Sequence, residues 1–507
     1  MEILSEILRI VTLLDSQSKV LPLLKAQNGT SSLSDRYLAG LASDPYTSDE
    51  AAAQDLYGSS PNDQRFRTLK SRTFDRLIHI LLLLEPSQTD SSEYARYYFK
   101  CYRYLTGAQI LMRFASRKAG YIVAQKTLTT AERYEFTDLC LTLSVLQRDT
   151  AALWEDYALF TALSAKVKKY SLLLLSEHES DYLLDETNFQ SKFTRQTQSQ
   201  LEKNHHEILL RIDEMNVNTP SYKLHLNCAR ARILFYETSK QFGEMRRVCL
   251  ETLSFLQSQP HLAHRARLGE FRLRLLEADV ITRQTDISPN ADADCLSLFR
   301  QPGVNWCSAQ NLIFVKYLHR LDYARAYEVY NCVVNHRSYH LTGDNVKERW
   351  SLNEVFLILC SRLNLWAAPT SSIEHFRLSR FLNSMPLESK SKQGSNILIL
   401  VFETMYLLLS HKYEQAESRI LYLNVYCTRY LREEGHIRVQ LFIKALQYVP
   451  RYRSDAASLK NAISPFITMI REAGTVPMPG EINELLPYEV ILEAYIRLLE
   501  DAPYTRV

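Results

Sequence analysis

Apolar residues recur along almost the whole chain at steps of three and four, the period of an α-helix with one buried face. In the opening stretch MEILSEILRIVTLLDSQ, Glu2, Glu6 and Arg9 interrupt the apolar positions, which predicts a short amphipathic helix. A polar loop follows around Gln27 to Asp35. Ser48 ahead of Asp49 and Glu50 has the chemistry of an N-terminal cap with an acidic first turn, and Gly58 can end the helix it starts. The next helix is predicted from about Asn62 to Glu85, where Pro86 stops it. On it Phe66, Leu69, Thr73, Leu77, Ile80 and Leu84 share a face, with Arg65, Arg72 and Arg76 as a stripe beside it.

Beyond this block, Ser92 to Glu179 reads as continuous helix with brief breaks near Gly120 and Leu128. Further helices run from Ser191 to about Gln284, interrupted near Pro220 and Pro260. The polar segment from Thr285, TDISPNADADCLSLFRQPGV, is expected to be a loop or a boundary. LESKSKQGSN from Leu387 and GTVPMPGEINELLP from Gly474 are two more loops, the second ahead of a last helix over Tyr488 to Glu500. The breaks suggest a helical N-terminal block over 1–92, a helical-repeat segment over 93–284 and a second over 285–507.

Three helix starts share a register. Tyr413 and Ala416, Tyr323 and Ala326, and Phe242 and Met245 each stand three apart, after the short breaks Ser410-His411-Lys412, Leu321-Asp322 and Lys240-Gln241. A helix, a two- or three-residue turn and a helix opening aromatic-x-x-small is an αα-hairpin. KYEQAESRI at 412–420 and DYARAYEVY at 322–330 resemble the second helix of the tetratricopeptide-type repeat. That family's glycine before the aromatic is replaced here by Lys412 and Asp322, and the spacing between matches exceeds its period of about 34 residues. The chain is also similar to a group of bacterial helical-repeat proteins. That likeness rests on Asp49-Glu50-Ala51-Ala52, Leu56-Tyr57-Gly58 and Leu69-Lys70-Ser71-Arg72 near the start, and on Arg429-Tyr430-Leu431 and Phe442-Ile443-Lys444 near the end. It implies a fold and brings no activity with it. The expected fold is all-α: an αα-hairpin solenoid with degenerate repeats behind a small helical N-terminal block.

Composition sharpens this. The 507 residues include only 13 Gly and 16 Pro, below the usual shares of about 7% and about 5%, so a turn-rich β fold is excluded. A net charge of +3 sets up no global field toward nucleic acid or anionic lipid. Nine scattered cysteines fit buried thiols in a reducing cytoplasm better than a disulfide framework. No apolar run approaches the ~18–20 residues of a membrane span, and the opening stretch, without a basic start or a small-residue cleavage site, does not read as a signal peptide. A cytoplasmic protein is expected.

Candidate chemistry is sparse. His336 and His340, and His261 and His264, have helical spacing but lack the glutamate of a zinc protease motif, and there is no CxxC. No glycine-rich phosphate loop, nucleophile elbow or kinase signature is present. Neither a metal nor a cofactor is expected, nor is the chain expected to be an enzyme. Thirty tyrosines suit wedge positions between helices and peptide-binding grooves. Those alternating with Arg96, Arg103 and Arg429 are candidates to line a concave face. Two functional readings follow. The first is a protein–protein interaction or scaffold protein holding a peptide or partner segment in a helical groove. The second is a regulator whose basic N-terminal block touches nucleic acid through Arg65, Arg72 and Arg76 while the repeats sense a ligand or partner.

Overall fold

The computed structural model describes residues 2–14, 32–42, 46, 48–84, 92–193, 197–284, 289–367, 376–384, 395–430, 436–453, 455–473 and 484–501. Among these every regular element is a helix. They run α1 (Glu2–Leu14), α2 (Leu33–Ala42), α3 (Asp49–Tyr57), α4 (Gln64–Leu83), α5 (Glu93–Arg113), α6 (Arg117–Arg133), α7 (Thr137–Leu153) and α8 (Tyr157–Phe193). Then come α9 (Gln198–Asn218), α10 (Tyr222–Thr238), α11 (Phe242–Ser258), α12 (Arg265–Ile281), α13 (Pro289–Ser297), α14 (Val304–His319), α15 (Tyr323–Val334) and α16 (Asp344–Arg362). The last are α17 (Leu378–Ser384), α18 (Ser395–Leu409), α19 (Tyr413–Tyr430), α20 (Ile437–Leu446), α21 (Ala456–Glu472) and α22 (Tyr488–Asp501). None is long and apolar enough to cross a membrane.

The chain forms two compact units: residues 1–178 with 260–264, and residues 179–259 with 265–507. The polar segment from Thr285 is not all loop, since residues 289–297 form α13. The segments 27–31, 85–91, 387–394 and 474–483 lie outside the described residues.

In the first unit α1 to α4 close a core of their own around Leu8, Val11, Tyr37, Phe66, Leu77 and Ile80. The face read from the sequence on α4 is the buried one. Ser48 caps α3 by accepting from the Ala51 N–H, and Gly58 ends it at φ +60°. The breaks expected near Gly120 and Leu128 are absent: both residues are buried inside α6. The chain turns at 114–116, 134–136 and 154–156 instead.

Those turns share one construction. Ala115, Glu135, Glu155, Lys240, Arg283, Leu321, Asn364 and His411 all adopt the left-handed conformation, with φ between 50° and 65°. At each, the residue's own N–H returns three positions and the next N–H returns five, as in Ala115 to Met112 (3.3 Å) and Ser116 to Leu111 (2.9 Å). This is the Schellman closure, which satisfies the orphan carbonyls of a helix end and normally uses glycine. Six of the eight lead straight into the next helix: α5 to α6, α6 to α7, α7 to α8, α10 to α11, α14 to α15 and α18 to α19. The glycine-poor chain thus accepts about 1–2 kcal/mol of backbone strain at each non-glycine turn. Ala115 is exposed and carries only a methyl group, so Ala115→Gly should stabilise the protein by about 0.5 kcal/mol, strain relief outweighing lost chain stiffness. Urea unfolding checks the sign.

The residue three after a helix start is buried at Gly120, Cys140, Met245, Ala326 and Ala416, so the close-approach register continues into α6 and α7, whose first residues are not aromatic. At Gly120 the approach is closest. A Cβ there would lie 2.6 Å from Met112 Cγ and 2.9 Å from the Ala108 carbonyl oxygen on α5. Gly120→Ala must push two helices apart and should cost about 1–3 kcal/mol, read as a lower thermal midpoint of the first unit.

In the second unit one continuous core runs from Leu276 to Ile496 around Trp306, Phe314, Trp350, Phe356, Phe402 and Phe442. Most consecutive helices pack together, and so do second neighbours: α12 with α14, α14 with α16, α16 with α18, and α20 with α22. Phe242, Tyr323, Met245, Ala326 and Ala416 are buried and Tyr413 is half-buried, all at the start of their helices. Charged groups join some of these second neighbours, and a few contacts reach much further. Arg438 on α20 donates to Glu484 from Nε (2.8 Å) and Nη2 (2.6 Å), and to Glu489 on α22 (2.6 Å). Arg283, after α12, lies 3.5 Å from both carboxylates. His319, at the end of α14, donates from Nε2 to the Glu484 carbonyl oxygen (3.0 Å). A stack held only by nearest neighbours makes no contacts of this span.

Candidate functional site

The second unit contains a cleft of about 450 Å³ between α8, α10 and α12. Helical spacing dictates its lining. Asp181, Leu184, Asp185 and Asn188 fall on one face of α8; Asn227, Arg230, Leu234 and Glu237 on one face of α10; Arg267, Glu270 and Arg274 on one face of α12. Leu184, Ile233 and Phe271, all buried, form an apolar floor.

The charges at one end of the cleft are fully engaged. Arg230 grips Glu270 through Nε (2.6 Å) and Nη2 (2.8 Å), a two-pronged geometry that suits a planar guanidinium and a carboxylate. Its Nη1 donates to Asn227 Oδ1 (2.6 Å). Asn227, fully buried, turns its amide N–H groups to Ser180 Oγ (2.8 Å) and Asp181 Oδ1 (2.9 Å). Lys223 closes the chain on Asp181 at 2.7 Å. Burial alone would raise the Glu270 carboxyl, but Arg230 and then Arg267 more than offset it and hold it below its ordinary value.

The rest of the cleft is less satisfied. Arg267 reaches Glu270 only at 3.4 Å. Arg274 pairs with Glu277 at 2.8 Å and stands 3.6 Å from Glu237. Glu237 is only 8% exposed, yet no hydrogen-bond donor reaches its carboxylate among the described residues. Burial pushes its pKa up, Arg274 offsets this only in part, and Glu277 adds to it. Asp185 is exposed and has no partner among the described residues.

None of these residues stood out in the sequence. Arg and Glu at steps of three and four on a helix are the pattern of any solvated face; what marks them is that three non-consecutive helices turn such stripes toward one another. The basic stripe that did stand out is elsewhere. On α4, Arg65 pairs with Asp63 (2.8 Å) and covers the Tyr57 ring, Arg76 reaches Asp35 (3.3 Å), and Arg72 is exposed. Lys70 on the same helix pairs with Asp49 at 2.5 Å. Four of the tyrosines of 93–105 pack on rings, among them Tyr97, stacked on Tyr134 at 4.7 Å, and Tyr94, edge-on to Phe136 at 4.9 Å. His261 and His264 lie against Tyr134 and Tyr94 in this cluster, and His336 lies 5.9 Å from Trp306. No group of three or more His, Cys, Asp or Glu among the described residues is placed to hold a metal. Eight cysteines are buried thiols and Cys332 is exposed. No protein-family model, no curated protein and no solved structure matches the chain.

Proposed function

We propose that the protein is a non-catalytic interaction or scaffold protein, a degenerate αα-hairpin array of tetratricopeptide-like type that holds a peptide or partner segment in the cleft of α8, α10 and α12. The observation that carries this reading is the cleft itself: an apolar floor flanked by incompletely paired charges from three non-consecutive helices. In hairpin arrays such helices line a shared surface suited to elongated partners. Six hairpins built on the same turn, and second-neighbour packing of helices, support the array. The contacts of Arg283 and His319 with Glu484 fit an array whose last helices return to earlier ones. The nucleic-acid reading has less support, because Arg65, Lys70 and Arg76 already hold carboxylates.

Affinity capture with the full chain tests this, using mass spectrometry with and without nuclease. Asp185→Lys with Arg267→Glu reverses two incompletely paired charges while leaving the Arg230–Glu270 grip intact. A stoichiometric protein partner should survive nuclease and be lost by the variant at unchanged helical content. Equal capture by the variant, or retention that depends on nucleic acid, overturns the reading.

A further inference from the structure

We propose that the cleft selects a segment carrying a basic side chain, whose ammonium or guanidinium group is taken by Glu237 and Asp185. The inference rests on the groove-binding reading and specifies its occupant. Four carboxylates (Asp181, Asp185, Glu237 and Glu270) line the cleft against three guanidinium groups (Arg230, Arg267 and Arg274), leaving one negative charge in excess. Asp181 and Glu270 are consumed by Asn227, Lys223 and Arg230. Glu237 and Asp185 therefore hold the open acceptor capacity.

Glu237 is the stronger of the two. A buried carboxylate normally accepts several hydrogen bonds, because without them it loses its hydration uncompensated. Among the described residues Glu237 accepts none, and the cation paired with it, Arg274 at 3.6 Å, is drawn to Glu277 at 2.8 Å. An incoming ammonium or guanidinium group would supply the missing donors to a carboxylate that is itself buried, where a charge-assisted bond counts for more than at the surface. The floor of Leu184, Ile233 and Phe271 matches the aliphatic stem of such a side chain, which buries its methylenes while its head reaches a polar partner. Arg267, only loosely paired, is the counterpart for a carboxylate or carbonyl oxygen beside that basic residue. An acidic or purely apolar segment would leave Glu237 unsatisfied.

The test uses the full chain with N-acetyl-argininamide and N-acetyl-lysinamide as probes and N-acetyl-glutaminamide and N-acetyl-glutamate amide as controls, read by calorimetry. The basic probes should bind saturably and the neutral and acidic ones should not. Glu237→Gln, which keeps the shape and removes the charge, should weaken basic-probe binding about tenfold, and Asp185→Asn should weaken it less. No basic-probe binding, or binding that both variants leave unchanged, overturns the inference. A random-peptide display selection on the same full chain separates the two levels. Enrichment of Lys- or Arg-containing peptides that is lost with Glu237→Gln supports both. Peptides without basic residues, displaced by Asp185→Lys with Arg267→Glu, leave the groove and overturn only its cationic preference. No peptide that depends on the cleft overturns the groove as well.

Discussion

Arg438→Met should destabilise the second unit by about 3–5 kcal/mol, the cost of leaving a buried charge without its partner. Arg438 is 6% exposed and neutralises two carboxylates that are themselves buried or nearly so, Glu484 and Glu489. It also donates to the Ile470 carbonyl oxygen at the end of α21 (2.5 Å). Glu484 in turn accepts from the Tyr488 N–H at the start of α22 (3.0 Å), so one guanidinium ties α20, α21 and α22 together. With methionine in its place the two carboxylates face each other, with Arg283 at 3.5 Å as the remaining arginine paired with them among the described residues. Arg438→Lys should recover part of the loss, since an ammonium keeps the charge but not the planar fork. Denaturant unfolding followed by helical content measures both. A loss under about 1 kcal/mol would mean the cluster behaves as an exposed ion pair.

Lys316→Met should cost a similar amount by the same physics. Lys316 on α14 is 5% exposed, and its ammonium lies 2.5 Å from both carboxylate oxygens of Asp292 on α13, itself 8% exposed. Removing the cation strands Asp292 beside Asp279, whose own carboxyl burial already pushes up despite its pair with Arg246 (2.7 Å). The double replacement, Lys316→Met with Asp292→Leu, should recover most of the stability, because a buried pair exchanged for apolar side chains of similar volume is often neutral. A double-mutant cycle therefore separates the worth of the pair from the penalty of the orphan. If the double variant is as unstable as Lys316→Met, the loss comes from packing of the stem, not from charge.

Much of the local structure was legible in the sequence, because helix formation under an amphipathic pattern is a short-range matter. The buried face of α4, the Ser48 cap, the Gly58 stop and the hairpin starts at Phe242, Tyr323 and Tyr413 all depend on residues within one or two turns. The turns at Ala115, Glu135 and Glu155 were not legible, since the usual mark of a left-handed helix end is glycine and none stands there. Gly120 reads as a break instead, although it lies in the first turn of α6, where it admits a neighbouring backbone. α13 was hidden because a polar run with Pro289 at its start reads equally well as loop.

Local periodicity and composition alone make the chain helical, set several helix starts and fix the apolar face of α4. Only the tertiary structure decided which charges meet. Arg438 finds Glu484 across 46 positions and His319 finds it across 165, while the cleft collects carboxylates and guanidinium groups from α8, α10 and α12. Helical spacing says which side of a helix a charged residue occupies, but not whether that side faces water or another charge; that depends on how non-consecutive helices come together.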